Sequence, residues 1–99
     1  MSTSGIEVGE SLAQSVRTTD EDLAVDLVDG RTIIVPLAWF PRLSHGTATE
    51  RSQWRLIGRG QGINWPQLDE DISVVSLLAG RKSNETRDSL GRWLEGRNR

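Results

Sequence analysis

The sequence contains no cysteine and only one histidine among its 99 residues. The absence of cysteine excludes a disulfide framework, a thiolate zinc site and a cysteine nucleophile, and it fits a reducing, intracellular environment. The single histidine, His45, precedes a glycine in a predicted loop and has no carboxylate next to it in the sequence that could orient it. We therefore interpret His45 as a surface residue rather than a metal ligand or a general base.

Long apolar runs are also absent. No stretch approaches the roughly 18 residues that a membrane-spanning helix requires. Residues 1–12 are polar and acidic, unlike the basic and then apolar plan of a secretory signal. We expect a cytoplasmic protein without a membrane partner. A chain of 11.0 kDa suffices for one small domain, which excludes a two-domain enzyme.

Tyrosine is absent and phenylalanine occurs once, whereas tryptophan occurs four times. Each buried indole removes about 150–250 Å² from water, so a few indoles can supply much of a small core. We predict that Trp39, Trp54 and Trp65 are core residues. The alternative is an exposed base-stacking surface, which would require basic residues between the rings.

A β-hairpin is the clearest local prediction. Apolar residues occur at every second position from Leu23, which is the period of a strand with one buried face. Asp29 and Gly30 follow this strand and precede the β-rich run RTIIVPL, a pattern typical of a tight hairpin turn. A preceding strand begins near Ala13. The third strand must end at Pro36 or have that position on an open edge, because proline has no amide hydrogen.

The middle of the chain is predicted to hold a short helix and two further strands. Thr47 and Glu50 have the spacing of a capping box, which favours a helix in TERSQW. The next segment could continue this helix or form a strand; its glycines forbid a long helix, and we favour strands at 54–58 and 63–65. The G-x-G-x-G pattern between them is interpreted as a turn rather than a phosphate loop, since it leads into an extended segment.

The segment ISVVSLLAG, residues 72–80, is predicted to form a helix that ends at its final glycine. Spacings of three and four residues place Ile72, Val75, Leu78 and Ala79 on one side of this helix. We expect that side to face the core.

Three carboxylates, Asp69, Glu70 and Asp71, precede this segment. They could attract Mg²⁺ or Ca²⁺, but their spacing is not that of a calcium loop. Negative charge at a helix start is stabilising by about 0.3–1 kcal/mol, and Asp71 or Ser73 can cap the helix. We favour this structural role and predict no metal and no cofactor.

Charge is divided unevenly along the chain. Residues 1–80 contain six basic and eleven acidic residues, whereas residues 81–99 contain six basic and three acidic residues. The basic residues 81–99 could bind nucleic acid, bind an acidic protein surface or be exposed only to solvent.

The chain is expected to have three parts: a flexible leader at 1–12, one α+β domain at 13–80 and a basic tail at 81–99. In the tail, Ser83 or Asn84 can cap a short helix. Leu90, Trp93 and Leu94 form a narrow apolar stripe on that helix. A short helix is marginal alone, so the stripe needs a surface to pack on, either its own domain or a partner.

The run WFPRL at residues 39–43 and the segment GQGINWPQLDEDISVVSLLAG at residues 60–80 resemble the bacterial domain-of-unknown-function family 2442. The resemblance extends from about Ser15 to Gly80. It implies a compact α+β domain with a small antiparallel sheet in a β3-α-β2-α arrangement and two short helices, followed here by a C-terminal amphipathic helix. Some relatives carry a helix-turn-helix after this domain, others look like halves of toxin–antitoxin pairs, and the family is similar to no known enzyme class.

We expect a non-enzymatic interaction module that binds a protein partner or a second copy of itself, and the resemblance implies the antitoxin-like half of a two-protein module. The predicted partner-binding residues are Leu90, Trp93, Leu94, Arg87 and Arg92. The alternative is a component of a nucleic-acid-binding regulator. Its basic contacts would be Arg42, Arg55, Arg59, Arg81 and Lys82. The tail can supply one helix, fewer than a helix-turn-helix requires, so direct reading of the major groove is not expected.

Overall fold

The computed structural model describes residues 11–97 of the chain. Two three-stranded antiparallel sheets and four short helices form an α+β fold, which confirms the predicted fold class. The strands are β1 Ala13–Thr18, β2 Asp22–Leu27, β3 Thr32–Pro36, β4 Arg55–Ile57, β5 Gly62–Trp65 and β6 Glu70–Ser73. The helices are α1 Pro41–His45, α2 Ala48–Arg51, α3 Val74–Leu78 and α4 Arg87–Arg97, with 3-10 turns at Leu37–Trp39 and Gly58–Gly60. No helix within residues 11–97 is long and apolar enough to cross a membrane.

Most of the predicted leader, residues 1–10, lies outside the described residues. Its last two positions pack on the first sheet. Ser11 is buried and accepts a 2.8 Å hydrogen bond from Nη2 of Arg31, and the carbonyl oxygen of Leu12 accepts a 2.9 Å hydrogen bond from the amide of Val28.

The first sheet has the order β1-β2-β3 and contains the predicted hairpin. Leu23, Val25 and Leu27 are at most 2 % exposed, so the alternating pattern of β2 gives one buried face. Gly30 has a φ of +100°, which a residue without a side chain adopts readily in the turn. Pro36 is the last residue of β3, an edge strand, so its missing amide hydrogen leaves no gap in the ladder.

The outer face of the first sheet carries a polar network around Asp26. Its carboxylate accepts hydrogen bonds from Arg17 at 2.7 and 3.2 Å, from Thr32 at 2.8 Å and from Ser15 at 2.8 Å. The Arg17 guanidinium, followed by the two hydroxyls, holds the pKa of Asp26 well below its usual range. The Asp26 side chain of β2 is thus hydrogen-bonded to both neighbouring strands on the solvent side of the sheet.

The connection between the sheets is helical. Pro41 occupies the first turn of α1, where its missing amide hydrogen has no consequence. The predicted capping box of α2 is confirmed: the amide of Glu50 donates to the Thr47 hydroxyl at 3.1 Å, and the amide of Thr47 donates to the Glu50 carboxylate at 2.9 Å. Helix α1 spans only five residues and is not predicted by the sequence pattern.

The second sheet has the order β4-β5-β6, and its first two strands agree with the predicted strands at 54–58 and 63–65. The glycine turn between them packs on β1. A Cβ atom on Gly60 would lie 2.5 Å from the carbonyl oxygen of Ala13, and Gly60 has a φ of +105°. Glycine is therefore required where the two sheets meet, and the turn interpretation is supported.

The prediction of a helix from residue 72 is wrong at its start. Ile72 lies on β6 opposite Ile63 of β5, and α3 begins at Val74 after a cap in which Ser73 accepts a 2.9 Å hydrogen bond from the amide of Ser76. The buried residues of α3 are Val74 and Leu77.

The predicted inner side of that helix is wrong for the same reason. Val75 is 43 % exposed, Ala79 is exposed and Leu78 is half-buried, whereas Ile72 is buried as a strand residue. Cross-strand pairing with β5 outweighs the helical spacing because it completes the sheet over the core.

The core lies between the sheets and the helical connection, and Trp65 is its largest fully buried side chain. The Trp65 indole donates a 3.0 Å hydrogen bond to the carbonyl oxygen of Arg51. Trp39 and Trp54 pack against the same cluster while remaining partly exposed. The core prediction is therefore confirmed in full for Trp65, and the other two rings lie at its margin.

Replacing Trp65 should strongly destabilise the fold. We expect Trp65→Ala to lower the free energy of unfolding by about 3–5 kcal/mol, because it leaves a large cavity and removes the hydrogen bond to Arg51. Chemical denaturation followed by circular dichroism measures this change. Trp54→Ala is the matched control and should cost clearly less, since Trp54 is only half-buried; equal losses would contradict a central role for Trp65.

Candidate functional site

The C-terminal segment, residues 81–97, crosses the body of the protein before it forms α4. The amide of Ser83 donates a 3.1 Å hydrogen bond to the carbonyl oxygen of Trp39, and Nζ of Lys82 lies 5.3 Å from the centroid of the Trp39 ring. These contacts hold the start of the segment beside the 3-10 turn that follows β3. The segment therefore forms a seam with the body.

Arg42 is the central cation of this seam. Its guanidinium binds both oxygens of Glu85, at 2.6 and 3.1 Å, and also donates to the carbonyl oxygen of Asp69 at 2.9 Å. The side chains of Arg42 and Glu85 are 17 % and 7 % exposed. The Arg42 guanidinium holds the pKa of Glu85 below its ordinary value, with a further contribution from the Ser89 hydroxyl. The pair joins α1 to the segment with two well-aligned hydrogen bonds.

Two arginines lie close to the ring of Trp93. Cζ of Arg42 is 5.4 Å from the ring centroid and Cζ of Arg97 is 4.7 Å from it, distances typical of cation–π contacts. Nη2 of Arg97 also donates a 2.8 Å hydrogen bond to the Glu50 carboxylate. The same carboxylate closes the capping box of α2, and the Arg97 guanidinium lowers its pKa. The end of α4 is thus tied to the start of α2.

Helix α4 contributes no fully buried residue. Leu90, Trp93 and Leu94 are each half-buried, and among the partly buried residues that pack against the core cluster only Trp93 comes from this helix. Arg87 and Arg92 are exposed. Polar and cation–π contacts therefore hold α4 on the body, and the apolar stripe is only partly covered within the described residues.

The position of α4 corrects one detail of the sequence analysis. The helix begins at Arg87, and the hydroxyl of Thr86, rather than Ser83 or Asn84, accepts the capping hydrogen bond of 3.0 Å from the amide of Ser89. Glu85 lies before the helix, with its carboxylate bound to Arg42. The cap on Thr86 therefore defines the start of the helix.

A groove of about 620 Å³ lies between the start of the C-terminal segment and β6. Its lining includes an acidic pair from β6 and a basic pair from the segment. These residues are Glu70, Asp71, Arg81 and Lys82, together with Phe40, Ile72, Ser73, Ser76, Gly80, Ser83 and Asn84. The groove thus brings charges of both signs to one side of the seam.

Glu70 is the unusual residue of this groove. It pairs with Trp65 in the second sheet, on the same inner face as Ile72, so its carboxyl is turned towards the core. Burial raises the pKa of Glu70 to about 7. Arg42 partly opposes this rise, whereas the negative charges of Glu85, Asp71 and Asp69 add to it. The group can exchange a proton near neutral pH.

The three neighbouring carboxylates of the acidic run point in different directions. Asp69 receives a 3.2 Å hydrogen bond from Arg42, Glu70 turns inward, and Asp71 receives a 2.5 Å hydrogen bond from Asn64 on the outer face. No group of three histidine or acidic residues that could hold a metal ion occurs in residues 11–97. Strand alternation separates these oxygens, and Ser73 rather than Asp71 caps α3.

Comparison with known proteins identifies the family of this chain. The chain matches the family described as Protein of unknown function (DUF2442) over residues 13–83. It belongs to this family. The family match therefore covers both sheets and the start of the seam, and α4 lies beyond it. Among curated proteins, none matches the chain.

Two solved structures share the fold. A crystal structure of a protein of unknown function from Rhodospirillum rubrum has 27 % sequence identity and a TM-score of 0.66, covering 80 % of this chain and 95 % of that one. The solution structure of an uncharacterised protein from Chromobacterium violaceum has 20 % identity and a TM-score of 0.64, covering 84 % of this chain and 76 % of that one. The second similarity supports the fold alone.

The residues predicted for nucleic-acid contact are dispersed among different surroundings. Arg42 is engaged by Glu85 and Asp69. Arg55 is exposed on β4, and Arg59 is exposed in the turn that follows, while Arg81 and Lys82 line the groove. His45 is exposed at the end of α1.

Sequence reasoning missed Glu70, Glu85, Glu50 and Arg97 as parts of the seam. A signal for Glu70 exists: in a strand, Glu70 and Ile72 share a face, so recognising β6 would have placed the carboxyl inside. No local pattern could have shown the other pairs, since they join residues 43 and 47 positions apart in the chain.

Glu70 should make the free energy of unfolding depend on pH near neutrality. Its folded pKa of about 7 exceeds its ordinary value of 4.5, so the folded state binds the proton more tightly. We expect stability to fall by about 1–2 kcal/mol as pH rises from about 4.5 to about 7, a reduced amount because the side chain is partly solvated. Glu70→Gln should remove this fall in urea denaturation across that range.

Glu95→Gln, at an exposed position of α4, is the matched control and should leave the pH dependence unchanged. A Glu70→Gln variant with the same fall in stability as the parent would show that this carboxyl is not the group responsible.

Arg97 should hold the end of α4 in place. We expect Arg97→Ala to increase amide hydrogen exchange in α4 about threefold to tenfold, because it removes both the ion pair with Glu50 and the contact with Trp93. Arg92→Ala removes the same charge from the same helix at an exposed position and should leave exchange unchanged. Equal exchange in the two variants would contradict the docking contacts.

Proposed function

We propose that this protein is a non-enzymatic interaction module that binds a protein partner through its C-terminal segment. The observation that carries the proposal is that α4 docks on the body without a single fully buried residue. Leu90 and Leu94 remain half-buried, although an apolar stripe on a short helix gains stability chiefly by burial. A partner that covers the rest of this stripe would complete the packing of α4.

Charge indicates the kind of surface that such a partner offers. Arg81, Lys82, Arg87 and Arg92 are exposed along the segment, against the exposed carboxylates of Asp88 and Glu95. Glu85 and Arg97 are already engaged with the body. The basic excess of the segment, together with the half-buried stripe of α4, fits an acidic protein surface with an apolar centre, because complementary charge steers association and fixes orientation.

The extent of the family match also supports the C-terminal segment as the partner site. The match ends at residue 83, so α4 lies outside the matched region and can carry a contact particular to this chain. The family resemblance adds a partner class, the second small protein of a two-protein module, in which this chain would be the antitoxin-like half.

The arrangement of the titratable groups favours a binding role over catalysis. Glu70 can exchange a proton near pH 7, but the neighbouring carboxylates diverge from it, and His45 lies exposed at the end of α1. A general acid or base acts on a group that other residues position and polarise. The groove offers charges of both signs for recognition, without a nucleophile activated by an adjacent base.

The partner can be found and tested in two steps. A photo-crosslinking side chain at position 92 should yield one major adduct in cells, whereas the same side chain at the exposed position 59 should yield none. With the purified partner, the double variant Arg87→Glu, Arg92→Glu should raise the dissociation constant at least about tenfold, because it reverses two exposed positive charges of α4. Isothermal titration calorimetry measures the affinity.

Arg59→Glu reverses one exposed charge outside the segment and should leave the affinity within about twofold of the parent. Unchanged affinity in the double variant would refute a role for α4. Binding of duplex DNA that weakens steeply with salt, and is lost in the same double variant, would instead favour the nucleic-acid alternative.

A further inference from the structure

The outer face of the second sheet is largely exposed within residues 11–97. Strand alternation divides the sheet into an inner face with Leu56, Ile63 and Ile72 and an outer face. The outer face carries six residues in two rows across the strands: Arg55, Asn64 and Asp71 in one row, and Ile57, Gly62 and Ser73 in the other. Four of the six are exposed and the two on the central strand are half-buried.

The first row is a charge ladder. Nε of Arg55 donates a 2.9 Å hydrogen bond to Oδ1 of Asn64, and Nδ2 of Asn64 donates a 2.5 Å hydrogen bond to Oδ1 of Asp71. The cation and the anion lie on the two edge strands, about 9–10 Å apart at the backbone. Within the described residues, the terminal nitrogens of Arg55 and Oδ2 of Asp71 have no hydrogen-bonding partner. The face therefore presents a positive charge at one edge and a negative charge at the other.

In the second row, the Ile57 side chain projects from the sheet and a groove lies beside it. Ile57 is 44 % exposed although it is a large apolar residue. Beside it, a groove of about 440 Å³ is lined by Ile57, Gly62, Ser73 and Ser76, among others. A Cβ atom on Gly62 would lie 3.8 Å from Cδ1 of Ile57, so the absence of a side chain at this position keeps the groove open.

We propose that a second copy of this chain covers this face, with the two sheets packed face to face and their strands aligned. The two-fold axis lies between the sheets and runs along the strand direction. This rotation places β4 over β6 of the other copy, so Arg55 meets the partner subunit's Asp71, and Asp71 meets the partner subunit's Arg55. Ile57 then enters the groove beside the partner subunit's Gly62. The face is complementary to itself in both charge and shape, as an isologous interface requires.

Other pairings of the same surface lose this complementarity. An axis across the strands would place Arg55 over the partner subunit's Ile57, and the charges would remain unpaired. Edge-to-edge pairing through β4 would extend the sheet but would leave the ladder and the groove exposed. The order of charges across the three strands thus selects the aligned, face-to-face arrangement.

The dimer is expected to be weak. Three short strands present less area than the roughly 800 Å² per subunit of a standard stable interface, and ion pairs at the rim contribute modestly. Charge pairing therefore provides specificity and orientation more than affinity. Association should be visible at protein concentrations in the hundreds of micromolar, on the order of weak transient complexes, and should weaken with added salt.

Sedimentation velocity on the full chain tests the proposal. The parent should form dimers at high concentration, whereas Arg55→Asp and Asp71→Arg should each be monomeric because like charges then face each other. An equimolar mixture of the two variants should recover association, since every contact again joins opposite charges. This recovery also shows that both variants are folded. Arg59→Asp makes the same charge change in the adjacent turn and should dimerise like the parent.

Gly62→Val tests the groove independently. Gly62 does not require a positive φ and β-branched residues suit strands, so the variant should fold while the filled groove weakens association at least about tenfold. The double variant of Arg87 and Arg92 should dimerise like the parent, which separates this inference from the proposed partner site on α4.

A parent that stays monomeric at hundreds of micromolar would overturn the proposal. Dimers that tolerate both charge reversals, with no gain on mixing, would overturn it equally and would favour pairing through the β4 edge.

Discussion

Trp65 and Arg51 join the second sheet to the helical connection through one buried polar contact. The Trp65 indole donates to the carbonyl oxygen of Arg51, while Nη1 of Arg51 donates to the carbonyl oxygens of Leu43 and Gly46. Arg51 of α2 is thus hydrogen-bonded both to β5 and to the end of α1. A buried guanidinium is costly unless carbonyl oxygens or carboxylates receive its hydrogens; Nη2 of Arg51 also donates to Asp20, whereas its Nε has no partner within the described residues. These contacts hold the helical connection against the core around Trp65.

The C-terminal segment is held by a different kind of contact. The Arg42–Glu85 pair, the stacked ring of Trp93 and the Arg97–Glu50 pair replace the apolar burial that joins the two sheets. The Arg42–Glu85 pair is largely buried, whereas the Arg97–Glu50 pair is more accessible to water and contributes modestly. This difference in physical attachment is the basis of the proposed partner site.

The two faces of the second sheet serve different purposes because adjacent side chains of a strand point to opposite sides. The inner face contributes Ile63 and Trp65 to the core and holds Glu70 at its margin, where burial raises the pKa to about 7. The outer face carries Arg55 and Asp71 at opposite edges, joined through Asn64. A single register thus positions both the Glu70 carboxyl on the inner face and the proposed self-complementary surface on the outer face.

The sequence by itself determined the features that depend on neighbours in the chain. The hairpin at Asp29 and Gly30 and the capping box of Thr47 and Glu50 follow from local turn and cap chemistry, and the family resemblance follows from motifs in the body. Only the tertiary structure decided whether Ile72 belongs to a strand or a helix, since its spacing suits both and the partner strand β5 settles the choice.

The seam likewise required the folded chain. Arg42 and Glu85 are 43 positions apart, and Arg97 and Glu50 are 47 apart, so no sequence pattern links them. Charged side chains are usually solvated, and their pairing depends on which surfaces the core brings together. The sequence therefore defines the elements and their polar and apolar faces, whereas long-range packing decides which faces meet and which remain available to other molecules.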